Sequence, residues 1–310
     1  MSAPRVSIGL PVYNGENYLR PALDSILHQD YTDFELIISD NASQDATEQI
    51  CREYAAKDPR IRYYRNEKNI GASGNFNRLV ELARGEFFKW AAHDDVHLPG
   101  FLRRCMEVIE PAPAAVALVT PRAEVIDEHG NVFNMDVESL DARQPRPHQR
   151  VEYVIRNVRW ATALFGLIRT NVLKKTRLIQ PYFASDNVLL VEIALLGQIW
   201  ELPETLFQRR YHASISTNAH KSWRDLQVWF NPSQKGIKRF VPPAMRLALE
   251  IVQRITRAPL PLWERFLCGF AFAKAWISRE GRRLYGRRNQ FGIRTRVKTF
   301  LTRAPRQKTL

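Results

Sequence analysis

The chain opens with a short apolar run, Val6 to Val12, of the length and continuity expected of a strand buried on both faces. After the polar turn Asn14-Gly15-Glu16-Asn17 the period changes, and Leu19, Leu23, Ile26 and Leu27 fall at helical spacing. The same exchange of period recurs twice. Phe34 to Ser39 reads as a strand, and Thr47, Ile50, Cys51 and Tyr54 mark one face of a helix that Asp45 and Glu48 would open as a capping box. Ile61 to Tyr64 is a short third strand, Ser73 to Ala83 a helix carrying Phe76, Leu79, Val80 and Ala83, and Glu86 to Ala91 a fourth strand. This strict alternation predicts an α/β fold with a doubly wound, mostly parallel sheet and right-handed crossovers.

Polar groups close several of these strands: Pro11-Val-Tyr-Asn14 the first, Ser39-Asp-Asn-Ala-Ser43 the second and His93-Asp-Asp95 the fourth. The carboxyl edge of a parallel sheet and the helix N-termini beside it line a crevice that binds ligands. An adjacent carboxylate pair there suggests a divalent ion carrying a phosphorylated ligand. Neither Gly-x-Gly-x-x-Gly after a strand nor Gly-x-x-x-x-Gly-Lys-Ser/Thr occurs, which argues against dinucleotide and P-loop chemistry.

Pro-Val-Tyr-Asn at 11–14, Ser-Asp-Asn-Ala-Ser-Gln-Asp-Ala-Thr at 39–47, Asn69-Ile-Gly71 with Asn75, Ala83-Arg-Gly-Glu86 and His-Asp-Asp at 93–95 together resemble the inverting glycosyltransferases of family 2, in order and spacing. The resemblance is strong to about Leu102 and weaker to about Ser216. It implies a GT-A-like fold. It also implies a base pocket of Pro11, Tyr13 and Asp40, where the ring stacks on a pyrimidine and the carboxylate accepts its imide N–H. Asn14, Asn69 and Gly71 would complete the nucleotide loops, Asp94 would hold the ribose or the metal shell, and Asp95 would coordinate Mn²⁺ or Mg²⁺ on the diphosphate. The chain departs from the commoner pattern at Asn41, where a second aspartate often stands, and at Ala92, where the metal motif often begins with an acid.

Transfer to a hydroxyl also needs a base. Pro181 to Gly197 resembles the family's acceptor-side motif, an acidic pair before an apolar helix, with Ser185 in place of the first acid and Asp186 keeping the second. Asp186 is therefore the expected general base and Glu192 the fallback. Phe207-Gln-Arg-Arg-Tyr-His212 resembles the closing segment near the diphosphate, which makes His212 a candidate metal or phosphate ligand and Arg209 or Arg210 a phosphate contact. Each residue also has a structural reading: Asp94-Asp95 as a solvated turn, Asp40 as a turn cap, Asp186 as an N-cap, and His212 as a structural histidine. His93 and His97 have no second ligand at metal spacing and are expected on the surface. Tyr63, Tyr64 and Trp90 read as core or crevice wall.

Among 310 residues the three cysteines, Cys51, Cys105 and Cys268, are widely spaced, as expected of reduced thiols in the cytoplasm. Met-Ser-Ala-Pro-Arg runs straight into the first strand and leaves no room for a signal peptide. Asp127 to Asn131 reads as a hairpin turn, and Glu138 to Arg150, with Pro145 and Pro147, as a flexible surface loop.

Charge divides the chain. Residues 219–310 hold 21 Lys and Arg against 4 Asp and Glu, whereas residues 1–218 hold 25 against 28. The expected organisation is a nucleotide-sugar-binding and catalytic domain over 1–218 and a basic helical extension over 219–310. In the extension Pro242-Pro243 opens a helix that Pro259 and Pro261 break, and a second helix begins at Trp263. No window there reaches the roughly 20 apolar residues needed to span a bilayer. Residues 259–298 could instead lie on an anionic membrane surface, or Phe266 to Ile277 could pack on the catalytic domain or a partner; the two readings stand side by side. Arg294 to Leu310 reads as mobile.

The resemblance implies a metal-dependent inverting transferase, expected in the cytoplasm or peripheral on the inner face of the cytoplasmic membrane. It would move a sugar from a nucleoside-diphosphate donor, UDP or dTDP favoured, to a saccharide or lipid-linked acceptor of the cell envelope. The rivals are a basic nucleic-acid-binding module, which the acidic crevice and the lack of a recognition motif disfavour, a sugar-phosphate nucleotidyltransferase, which would want a basic Gly-rich first loop, and a degenerate domain that binds without turnover.

Overall fold

A computed structural model of the chain describes residues 3–134, 138–213, 229 and 243–286. The first half follows the expected alternation: β1 (Val6–Val12), α1 (Leu19–Leu27), β2 (Phe34–Asp40), α2 (Thr47–Lys57), β3 (Ile61–Arg65), α3 (Gly71–Leu82) and β4 (Phe87–Trp90). These four strands lie in the order β3-β2-β1-β4, all parallel. Every residue of β1 and β2 is buried, as a sheet covered by helices on both faces requires. Gly9 lets α3 approach, since a Cβ there would meet Leu79 Cβ and the Phe88 ring at 2.8 Å.

The alternation ends at β4. After β5 (Val96–His97), α4 (Phe101–Ile109), β6 (Val116–Ile126), β7 (Val132–Asn134), α5 (Pro147–Asn157), β8 (Leu167–Arg169), α6 (Thr170–Leu173) and α7 (Ser185–Leu196), the long strand β9 (Gln198–Arg210) returns through the sheet. β8 inserts antiparallel between β4 and β6, β9 runs parallel to β6, and β5 pairs antiparallel with β9. The sheet is therefore mixed beyond its first four strands.

That β5–β9 pairing corrects the placement of His97. It is buried, with Nε2 2.7 Å from Lys89 Nζ and its ring against Phe101 and Phe207. Burial and the neighbouring Lys89 hold the imidazole well below its usual range, and burial lowers the Lys89 ammonium to about 7. His93 is half-buried rather than free on the surface, because a Cβ on Gly15 would lie 2.6 Å from its ring.

Two further expectations are corrected. The capping box before α2 does not form: Asp45 accepts the Thr47 and Glu16 N–H groups, while Glu48 pairs with Arg52 and Arg65. Residues 138–150 are not a free loop, because Leu140 and Ala142 are buried, Ala142 bridges to Ile199, and Glu201 accepts from Ser139 and Leu140. The turn at 127–131 is realised between β6 and β7, where Asp127 Oδ1 caps the His129 and Asn131 N–H groups.

Helices α8 (Pro243–Arg257) and α9 (Leu262–Gly286) follow, and Pro259 and Pro261 lie in the break between them. Ile251, Ile255, Cys268, Phe272 and Ala275 join the same core as α5 and α7. No described helix is long and apolar enough to cross a membrane. The boundary expected at 218/219, the arginines of 259–298 beyond Ser278 and the tail from Arg294 to Leu310 have side chains or backbone outside the described residues. All three cysteines are free and buried.

Candidate active site

The carboxyl ends of β1 and β2 carry two loops that hold each other. Asn14 N–H donates to Ser43 Oγ, Gly15 N–H to Thr47 Oγ1, and Gln44 N–H to Asn14 Oδ1, each at 2.9 Å. Asn14 adopts φ +51°, a left-handed conformation that asparagine tolerates better than most residues. Pro11 is buried beneath this turn, whereas Tyr13 is 40% exposed.

Asp40 lies at the floor, fully buried. Its Oδ1 accepts the Ser43 N–H and its Oδ2 the Tyr63 hydroxyl, both at 2.9 Å. Asp40 thus does cap its turn. Tyr63, expected as core or crevice wall, holds the second oxygen of this carboxylate.

Asn41 explains its own departure from the aspartate expected there. Its Nδ2 donates to Asn69 Oδ1, while its Oδ1 accepts from Ile70 N–H and Asn66 Nδ2. A carboxylate could do only the second task. Asn69 Oδ1 also accepts the Gly71 N–H, with Gly71 at φ +79°, so these two residues shape the loop into α3. Asn75 ties the same loop to Ser39 through its side-chain amide.

Asp94 and Asp95 follow β4, and the end of β9 encloses them. The Arg210 backbone N–H donates to Asp95 Oδ1 and its Nε to the Asp94 carbonyl, both at 2.9 Å. Arg210 also donates to the Asp127 carbonyl at 3.1 Å and stacks 5.0 Å from the Tyr18 ring, which makes it a structural clamp. His212 Nε2 lies 3.0 Å from Asp94 Oδ2. Burial pushes the Asp94 carboxyl up, but His93 and His212 together hold it below its usual range. Asp95 is displaced the other way, raised by burial and by the Asp94 charge, with Arg209 and Arg210 opposing. Two adjacent acids with such divergent environments mark a functional site more often than a solvated turn.

No three histidine, cysteine or carboxylate side chains converge as a ready cage among the described residues. The donor set nevertheless fits a hard ion of the Mg²⁺ or Mn²⁺ kind, which takes one or two carboxylates and completes its shell with water and phosphate oxygens. Asp95, buried with its Oδ1 on the Arg210 N–H, and Asp94 beside it are the carboxylates that would hold such an ion. His212 reaches this set through Asp94.

Asp186 is half-buried in the first turn of α7 and accepts the Asn187 N–H. It is not the N-cap, since Ala184 occupies that position with φ +63°. Burial raises its carboxyl; the Asn187 N–H and Arg209 oppose, and Glu138 adds to the rise. The Arg209 charge opposes the rise at both carboxyls, Asp95 and Asp186. Its guanidinium also lies 5.0 Å from the ring of Trp160, which is 49% exposed. The Trp160 turn is held by Glu138, which accepts the N–H groups of Arg159, Trp160 and Thr162. Nothing local in the sequence marks Glu138 or Trp160, because their partners lie about twenty to fifty residues away.

Glu192, the fallback base, is turned away from this crevice. It faces α8, 3.3 Å from Arg254 Nε, and accepts the Arg177 N–H.

The family model for glycosyl transferase family 2 matches residues 7–178. An uncharacterized glycosyltransferase of Rickettsia typhi is 36% identical over 126 residues, 41% of this chain and 38% of that protein. One from Rickettsia felis is 35% identical over 130 residues, covering 41% and 21%. The matched stretch thus spans well under two thirds of these relatives' lengths. Among solved structures, S. aureus TarS 1-349 in complex with UDP-GlcNAc aligns with TM-score 0.64 at 18% identity, covering 88% of this chain and 73% of that one. The mannosyltransferase PcManGT of Pyrobaculum calidifontis, in complex with GDP-Man and Mn²⁺, aligns with TM-score 0.52 at 16% identity, covering 89% and 76%. Likeness at these identities establishes a shared fold.

Proposed function

From the premise that the chain belongs to glycosyltransferase family 2, we propose that it is an inverting enzyme that moves a sugar from a nucleoside diphosphate, UDP or dTDP favoured, to a hydroxyl of a cell-envelope polysaccharide, lipopolysaccharide or lipid-linked saccharide. The observation that supports the reading is the adjacent Asp94-Asp95 pair after β4, which the end of β9 encloses through the Arg210 N–H on Asp95 and His212 on Asp94.

On this reading Tyr13 stacks on the base above the Pro11 and Asp40 floor, and the loops of Asn14, Asn69 and Gly71 surround the nucleoside. Asp95, with Asp94 beside it, holds Mn²⁺ or Mg²⁺. When bound, that ion neutralises the leaving diphosphate. Asp186 takes the acceptor proton while the hydroxyl oxygen attacks the anomeric carbon from the face opposite the diphosphate, which inverts the configuration. Asp186 suits this task because burial makes it a stronger base than an exposed aspartate. Arg209 would be the cation that meets the diphosphate, since Arg210 donates to backbone carbonyls. His212 orients Asp94.

The test is calorimetric titration with UDP, dTDP, GDP and CDP, each with Mn²⁺ and with chelator. Metal-dependent binding of one base supports the assignment. Asp95→Asn should remove that binding, and Asp186→Asn should keep it while abolishing transfer. Binding of all four irrespective of metal would overturn the reading.

A further inference from the structure

Helices α8 and α9 are each buried on one side and apolar on the other. On α9, Cys268, Phe272 and Ala275 pack into the core, yet Leu262 is 80%, Phe266 76%, Phe270 66% and Ile277 71% exposed. Steps of four, four and seven residues put these four on one narrow stripe opposite the buried face. On α8 the same holds for Met245, Leu249 and Val252, also exposed, against the buried Ile251 and Ile255. A contiguous apolar stripe of this kind on a helix already packed elsewhere marks an interaction site.

We propose that these two stripes are a docking surface for an anionic lipid leaflet. Charge chooses the occupant. Residues 243–310 contain 16 Lys and Arg against 3 Asp and Glu, and five of the arginines fall between Arg279 and Arg288. The two acids on the described side chains are turned inward, Glu264 to His148 at 2.7 Å and Glu250 to Arg254 at 2.8 Å. Among the cations, Lys274 reaches Glu152 of α5, while Arg257 is exposed where α8 ends. A second copy of the chain would set one such basic segment against another. Anionic headgroups would match it, and Trp263 with Phe266 and Phe270 supplies the aromatic side chains that favour a headgroup boundary. Neither helix could do more than lie in the interface.

This surface is independent of the transfer reading, because vesicle binding requires neither donor nor acceptor. The experiment is co-sedimentation of the full chain with phosphatidylcholine vesicles, with and without phosphatidylglycerol, at low and high salt. The wild type should sediment with the anionic vesicles at low salt and stay in solution with the neutral ones. A Phe266→Ser, Phe270→Ser double variant, altered only at exposed positions, should lose about tenfold in vesicle affinity while its circular dichroism stays unchanged. Equal sedimentation of variant and wild type would overturn the proposal, as would wild type that binds neither vesicle. A concentration-dependent dimer that the double variant abolishes would also overturn it, by assigning the face to a second copy.

Discussion

The His212 imidazole lies 3.0 Å through Nε2 from Asp94 Oδ2 and packs 4.7 Å from the Tyr18 ring, so the segment that closes the domain is tied to the first carboxylate of the pair. The nearby His93, this contact and a backbone hydrogen bond together hold the Asp94 carboxyl below its usual range against the effect of its burial. His212→Ala should therefore raise the Asp94 pKa and loosen the Asp94-Asp95 turn. The expected result is a loss of about tenfold in metal-dependent nucleotide affinity, from one charge-assisted hydrogen bond, read by calorimetry with and without Mn²⁺. Unchanged affinity would leave His212 no part in the site.

Asp186 gives a pH dependence whose sign follows from its raised pKa. With Asp186 as the proposed base, transfer would require its deprotonated carboxylate, so kcat/KM should rise with pH through an inflection above the usual aspartate value of 3.8. Because Arg209 opposes the rise, Arg209→Leu should move that inflection to still higher pH. The same shift has a consequence for stability. A carboxyl whose pKa is higher folded than unfolded contributes stability that is present below the unfolded value and lost as pH rises through the folded one. Asp186→Asn should accordingly melt at or above the wild-type temperature near neutral pH, and the difference should vanish in acid. A variant less stable than wild type at neutral pH would contradict the burial argument.

Asn41 offers a test in which restoring the commoner residue does harm. In Asn41→Asp the donor to Asn69 Oδ1 is replaced by a carboxylate oxygen at 2.9 Å from another oxygen, while the acceptor role toward Ile70 N–H survives. The loss should be about 1–3 kcal/mol, seen as a lower denaturant midpoint at unchanged m-value. A neutral or stabilising effect would mean that the Asn69 amide turns over without cost.

The parallel half of the fold is legible in the sequence because β1, β2 and β4 are buried along their whole length, so their sequences are mostly apolar, with Ser7, Glu35 and Lys89 among the few polar interruptions, and helical spacing follows each of the first three strands. The second half is not, since β5 finds β9 and β4 finds β8 across long intervals that no local period records. His97 looked like a surface residue for this reason: the Phe207 that covers it is 110 positions away. Motif reading brought Asp94, Asp95, Asp186, Arg209 and His212 together, but it could not tell Arg209 from Arg210. Their contacts differ: Arg210 donates to the carbonyls of Asp94 and Asp127, whereas Arg209 lies against the Trp160 ring.

Glu192 and Asp186 sit six positions apart on one helix, and their surroundings separate their roles. Glu192 lies 3.3 Å from Arg254 Nε, and the Arg254 side chain is itself only 2% exposed. Arg254 keeps a second partner in Glu250 at 2.8 Å, so Glu192→Gln weakens the junction of α7 with α8 without leaving a bare buried charge. The expected cost is about 1–3 kcal/mol of stability with kcat within about twofold of wild type, because nothing that touches substrate is altered. Asp186→Asn should show the reverse, with stability kept and transfer reduced by about 10²–10⁴, the usual worth of a general base. Thermal melts and single-turnover transfer on the two variants, run side by side, check both halves. A Glu192→Gln enzyme that folds normally but does not transfer would exchange the two assignments.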